Sequence, residues 1–381
     1  MYALVNATLE SPDGPLAGHA LVVEGERIAA LLPERELPGS LRRIDLGGGT
    51  LAPGFIDLQV NGGGGVLLND DPSPEAFARV AAAHRRSGTT ALLPTLISDR
   101  PPVRAAAVAA LDAARAMGHP SILGLHLEGP HLFPGRRGVH PAEVLVPPTE
   151  ADFALVERAA RSGRVLVTVA PEIVGPDGIR RFRAAGAIVA LGHSDSSHAD
   201  ACAAFEAGAS GVTHLYNAMS QLGSREPGLV GAALDHDDVW CGLIADGHHV
   251  HWASVRLAWR VKRHRLVLVT DAMPPVGAEA PGDYLLGGER IRVEGGRCVT
   301  AEGRLAGSAL DMASAVRNMV RHVGVPLSEA LALAAAAPAD ALGLGHRIGR
   351  LRPGLRADLV HLDGTLEVRR TWVAGRADPP L

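Results

Sequence analysis

The architecture of this chain is written most plainly in residues 123–131, LGLHLEGPH. Leu125 and Leu127 alternate with His126 and Glu128, and side chains two apart on a strand share a face. An apolar strand therefore presents His126 and Glu128 together, with Glu128 at its C-terminal end ahead of a Gly–Pro break. The pattern recurs on either side. FIDLQVNG places Asp57, Gln59 and Asn61 on one face of an earlier strand. IVALGHSD sets His193 just past an apolar run, GVTHLYNAM does the same for His214, and LVLVTDA for Asp271. Taken singly, each has an ordinary explanation as a solvated histidine or a capping carboxylate. Polar residues at the ends of many strands are, jointly, what a barrel active site needs, because those ends converge on one face.

Strand-type runs are predicted at Phe55–Val60, Thr90–Leu93, Ile122–Leu127, Val165–Ala170, Ala187–Leu191, Gly211–Thr213, Val239–Ile244 and Leu266–Thr270. Ala- and Arg-rich helical stretches lie between most of them, such as PEAFARVAAAHRRSG and SDSSHADACAAFEAGA, the latter opening on a Ser/Asp cluster suited to N-capping. About eight strand–helix repeats argue for an α/β fold of the (β/α)8 TIM-barrel type. An open doubly wound sheet is the alternative, but no GxGxxG follows the first strand. The glycines Gly62–Gly65 match neither that motif nor a P-loop and read as a flexible loop. Both chain ends are rich in short strands and turns. The expected division is a small β-sandwich domain from residues 1–52 plus 350–381, and a catalytic barrel over 53–349.

Composition narrows the function. The chain has 381 residues, 47% hydrophobic and 20% charged, enough apolar surface for a sizeable core. With 37 basic against 41 acidic residues the net charge is −4, so no basic excess exists to hold nucleic acid. No apolar run approaches the roughly 18 residues that would span a bilayer, and the first residues carry no secretory pattern. Cys202, Cys241 and Cys298 are too few and too scattered for a disulfide framework. A cytoplasmic enzyme of a small molecule is the expectation.

Glu128, His193 and His214 supply one carboxylate oxygen and two imidazole nitrogens. Three such ligands with an open position make a catalytic rather than structural metal site. A metal there lowers the pKa of water, and Asp271 is the candidate to take a proton and deliver it to a leaving group. The donor set suits zinc first, and also accepts Fe2+ or Mn2+.

The chain resembles the amidohydrolase superfamily and, within it, the N-acetylglucosamine-6-phosphate deacetylase family. The stretches that carry the resemblance are APGFIDLQVNGGGG, LGLHLEGPHL, GVHPAE, LGHSDSS, THLYNAMSQLGSREPGLVGAAL, GLIADGHHV, VTDAMPPVGA and LAGSALDM, in family order over nearly the whole chain. The resemblance implies hydrolysis of N-acetyl-D-glucosamine 6-phosphate to D-glucosamine 6-phosphate and acetate. It implies one divalent metal per subunit on Glu128, His193 and His214, with Asp271 as acid/base and His140 polarising the amide carbonyl. Val139, His140, Asn217 and Ala218 match substrate-contacting positions, and Leu305, Ala306 and Gly307 a segment that covers the sugar. Arg225 and His249 match phosphate-binding positions, reaching the neighbouring site of a homodimer. The sequence reads DGHHV where relatives have another residue at position 248, and the phosphate role is assigned to His249.

Residue chemistry also limits the metal count. Gln59 and Asn61 stand where a two-metal site would need histidines, and neutral amides are poor ligands. Lys262, the sole lysine, lies at no strand end, so no carboxylated lysine can bridge two ions. A weakly held second ion bridged by Glu128 is the variant left open. Two other functions remain: deacetylation of a related substrate such as N-acetylgalactosamine 6-phosphate, and sugar-phosphate binding without catalysis.

Overall fold

The computed structural model describes residues 1–280 and 282–378. Its centre is an eight-stranded parallel sheet of β1 (Phe55–Val60), β2 (Thr89–Ile97), β3 (Gly124–Glu128), β4 (Arg164–Val169), β5 (Ala187–Leu191), β6 (Gly211–Val212), β7 (Trp240–Ile244) and β8 (Leu266–Val269), each paired with its neighbour in chain order. The first and last strands are tied by Asp271 N–H to Gln59 O at 3.0 Å and by Asn61 N–H to Ala272 O at 2.9 Å. The sheet thus closes on itself, as the strand–helix alternation predicts.

Helices return the chain between strands: α1 (Pro74–Arg85), α2 (Pro101–Ala116), α3 (Glu150–Ser162), α4 (Pro171–Ala184), α5 (His198–Glu206), α6 (Gly228–Asp235), α7 (Trp252–Lys262) and α8 (Met312–Asn318). Local sequence fixes where they start. Ser73 caps α1 and precedes a proline at the first helical position. Thr149 and Asp152 form a capping box at α3. Ser197 accepts from Asp200 N–H at 3.1 Å at the start of α5, in the Ser/Asp cluster read from the sequence. Leu125 and Leu127 are buried in the main hydrophobic core, each burial stabilising by about 1.5–3 kcal/mol.

Three local readings are corrected. β2 runs for nine buried residues through Pro94, because a register shift against β1 accommodates the missing N–H. The Gly62–Gly65 stretch is not a loose loop: Gly62–Gly63 pairs with Val66–Leu67 in a tight hairpin. Its turn residues Gly64 and Gly65 have φ of +60° and +80°, which a side chain would resist. An antiparallel four-stranded sheet, Tyr284–Leu286, Glu289–Glu294, Arg297–Val299 and Leu305–Ser308, follows β8 where the sequence suggests only a covering segment.

The chain ends meet. Thr50–Pro53 pairs with Thr8–Ser11 on one side and Leu359–Leu362 on the other, within a six-stranded sheet. A second, four-stranded sheet contains Tyr2–Val5 and His19–Glu24. Leu4, Leu9, Leu51, Leu359 and Trp372 form a shared core between them. Residues 379–381 of the expected small domain lie outside the described residues.

Candidate active site and metal centre

Glu128 is the last residue of β3, and its side chain shares a face with His126. His193, His214 and Asp271 each follow the last residue of their strand by two positions. All three take left-handed backbone conformations, with φ of +48°, +28° and +54°. Such residues cost about 1–3 kcal/mol each and persist where surrounding structure over-determines them. The common device turns each side chain into the mouth of the barrel.

Glu128 Oε1 lies 3.2 Å from His193 Nε2 and 3.1 Å from His214 Nε2, and the two nitrogens are 3.0 Å apart. His193 Nδ1 donates to the carbonyl of Arg136 at 2.9 Å. A carbonyl can only accept, so Nδ1 carries the proton and Nε2 offers a lone pair. His214 Nδ1 is buried with no hydrogen-bond partner among the described residues. A carboxylate and two imidazole nitrogens thus converge at contact distance, and a divalent cation satisfies that demand. Burial opposes ionisation of Glu128, but its contacts with His193 and His214 outweigh it and hold the carboxyl well below its usual range.

His140 lies in the same cluster, within 4.8 Å of Glu128 and His193 by ligand atoms. Its Nδ1 is taken by Ser98, so the donor geometry separates it from the other two histidines. His126 does not join the cluster. Thr95 and Thr168 hold its ring inside the barrel at 3.3 and 2.8 Å, and burial pushes it down to about 4.

Asp271 Oδ1 accepts from Asn61 Nδ2 at 2.6 Å and Gln59 Nε2 at 3.2 Å. The same Gln59 nitrogen donates to Glu128 Oε1 at 3.0 Å. Burial first, and then the charge of Glu128, raises the Asp271 carboxyl to about 6. Gln59 and Asn61, dismissed as ligands from the sequence, are therefore the orienting groups of the carboxylate pair. Their shared face on β1 was the visible signal.

A cavity of about 280 Å3 opens over these groups, lined by Glu128, His140, His193, His214 and Asp271. Val139, Asn217, Ala218, Leu305 and Gly307 line it too, as does His249, whose Nδ1 is 2.6 Å from Asp246 Oδ2. His248 is exposed. Ala306 does not face the cavity. It alternates with Leu305 and Gly307 along a strand and is buried in a small apolar cluster that includes Met273 and Ile97. Arg225 sits in an exposed loop and does not line the cavity of the single chain. Arg136, Leu67 and Leu286 line it without having been singled out, the last from the sheet that follows β8.

Comparison with known proteins agrees with this construction. Residues 50–377 match the model of the amidohydrolase family, and residues 1–51 that of the NagA composite domain. An N-acetylgalactosamine-6-phosphate deacetylase of Shewanella sp. (strain ANA-3) is 46% identical over 86% of this chain and 82% of its own. An N-acetylglucosamine-6-phosphate deacetylase of Haemophilus influenzae is 36% identical over 98% of both. The crystal structure of N-acetylglucosamine-6-phosphate deacetylase from Pasteurella multocida superposes with a TM-score of 0.96 at 37% identity, covering 99% of each chain. By sequence, by fold and by the constellation at the barrel mouth, the chain belongs to the amidohydrolase family, in the branch that carries the NagA composite domain.

Proposed function

We propose that this enzyme hydrolyses N-acetyl-D-glucosamine 6-phosphate to D-glucosamine 6-phosphate and acetate. The observation that carries it is the convergence of Glu128, His193 and His214 beside Asp271, in a chain whose relatives are named for that reaction. Glu128, His193 and His214 would hold one divalent ion, zinc first and iron or manganese as alternatives. Such an ion supplies Lewis acidity toward the amide carbonyl and lowers the pKa of water.

The chain's own groups do the rest. Asp271 Oδ1 is occupied by Gln59 and Asn61, which leaves Oδ2 to take the proton from the attacking water and return it to the departing amine. His140, with its proton on Nε2, donates to the acetamide oxygen as charge builds there. Asn217 and Ala218 line the sugar's path, with Val139, Leu305 and Gly307 closing on it. His249, expected from the resemblance to reach the neighbouring site, lines its own chain's cavity and, fixed by Asp246, would receive the phosphate there, while Arg225 would reach the phosphate bound by the neighbouring subunit of a homodimer. Binding energy at the remote phosphate positions the amide for attack.

Residues 1–52 with 350–381 are read as one small β unit and 53–349 as the catalytic unit, on the pairing of Thr50–Pro53 with Leu359–Leu362. Among the described residues no helix is long and apolar enough to cross a membrane, and a cytoplasmic location is the reading adopted. The 46% identity with the Shewanella N-acetylgalactosamine-6-phosphate deacetylase favours a second reading, the C4-epimeric substrate. Acetate release from both phosphosugars, with elemental analysis of the same preparation, tests both. Preference for the glucosamine form supports the first reading, preference for the galactosamine form the second. Release from neither by metal-loaded protein removes both.

A further inference from the structure

At the end of the barrel away from the catalytic cavity, four separate stretches of chain bring six arginines to one cleft of about 350 Å3. Arg27 opens the strand Arg27–Pro33, and Arg115 lies in the last turn of α2. Arg161 lies in the last turn of α3 and Arg164 begins β4, while Arg347 and Arg356 come from the chain leading to Leu359–Leu362. The two sites occupy opposite strand ends. Arg164 pairs with Gly124 at the start of β3 and Thr168 with Glu128 at its end. Four residues of strand, about 13 Å, lie between.

The charge is not cancelled locally. Arg161 pairs with Glu157 at 2.9 Å and Arg356 with Asp358. Arg27, Arg115, Arg164 and Arg347 have no carboxylate partner among the described residues, and Glu26 is the one acidic residue on the wall. Even with all three carboxylates counted, the cleft keeps a surplus of three positive charges in a chain whose net charge is −4. Like charges repel, yet backbone carbonyls pin three of these groups in place. Arg115 donates to Ser162 O at 3.0 Å and Ile122 O at 3.1 Å, Arg27 to Gly354 O at 2.6 Å, and Arg356 to Pro120 O at 2.9 Å. Each guanidinium carries five N–H donors, so several remain for a ligand.

We propose that this cleft is a second anion site, for a small phosphorylated ligand of at least two negative charges, of the diphosphate or phosphate-ester class. The guanidinium fork matches phosphate oxygens, with Arg27, Arg115 and Arg356 already held in place and Arg164 and Arg347 free to turn toward the ligand. The cleft is concave and bounded, of small-molecule size, rather than a stripe that would follow a polymer. It rests on none of the groups assigned to deacetylation.

The test uses the metal-loaded full chain and pyrophosphate as probe. Titration calorimetry is expected to detect binding that Arg164→Ala with Arg347→Ala weakens at least tenfold, with acetate release unchanged. Neither side chain has a hydrogen-bond partner among the described residues, so the fold should survive. A variant-free arm soaks crystals in tungstate, a phosphate analogue, and expects its anomalous peak in the cleft beside Arg164 and Arg347. Equal pyrophosphate affinity in wild type and the double variant, or tungstate confined to other places, overturns the proposal.

Discussion

Ser98 addresses Nδ1 of His140 twice: its backbone N–H donates at 3.3 Å and its hydroxyl lies 2.8 Å away. An N–H donor requires a lone pair, so the ring proton sits on Nε2. Burial above all pushes this imidazole down to about 3, so the ring is neutral at working pH. A protonated Nε2 donates a hydrogen bond and cannot ligate a cation. His140→Ala should therefore cut turnover by about 10²–10³ and keep its metal. His193→Ala and His214→Ala should lose the metal. Elemental analysis beside acetate release separates the two, and a metal-free His140 variant would make it a ligand after all.

Asp271 has a single expected task, carrying a proton through Oδ2. Asp271→Asn preserves the shape and the contacts of Oδ1 but removes the base, and turnover should fall by at least about 10² with metal content intact. Full activity in this variant would take Asp271 out of the mechanism.

Gln59 stands between two carboxylates, with one nitrogen 3.0 Å from Glu128 Oε1 and 3.2 Å from Asp271 Oδ1. Gln59→Leu removes that donor, and the Asp271 pKa, already about 6, should rise further. The base must start ionised, so the acid limb of kcat/KM should move to higher pH. Metal affinity should drop about 10–100-fold, because Glu128 loses its orienting bond. A pH profile superimposable on wild type would leave Gln59 with a packing role only.

Asp57 is fully buried, and accepts from Thr270 Oγ1 at 2.5 Å and Gln59 N–H at 3.2 Å. Burial raises its carboxyl to about 7. The folded state then binds a proton that the unfolded chain releases above its ordinary value of 3.8. Stability from this group is complete below that value and is lost as pH rises toward 7, with a slope of at most about 1.4 kcal/mol per pH unit. Asp57→Asn mimics the protonated form and should flatten the difference. Denaturant unfolding of both proteins at pH 5 and 7 measures it, and parallel curves would contradict it.

Much of the site was legible before folding. The alternation in LGLHLEGPH put Glu128 at a strand end, and the apolar runs ahead of His193, His214 and Asp271 set those residues just beyond theirs. β2 extends beyond the Thr90–Leu93 run visible in the sequence because a register shift accommodates Pro94, and the sheet after β8 leaves little trace in the sequence because its strands are brief and half exposed. Arg225 could not be placed by its sequence, and the folded single chain leaves it outside the cavity.

The sequence by itself determined the barrel and the convergence of its polar residues, because strand periodicity and the parallel order of strands are consequences of local pattern. Only the tertiary structure decided which proton sits where. The tautomer of His140 depends on Ser98, 42 residues away, and the orientation of Asp271 on Gln59, 212 residues away. The left-handed turns at His193, His214 and Asp271 belong to the same class. Such features exist because distant segments press on one another, and a conformation that is unfavourable locally survives only where those contacts outweigh its cost.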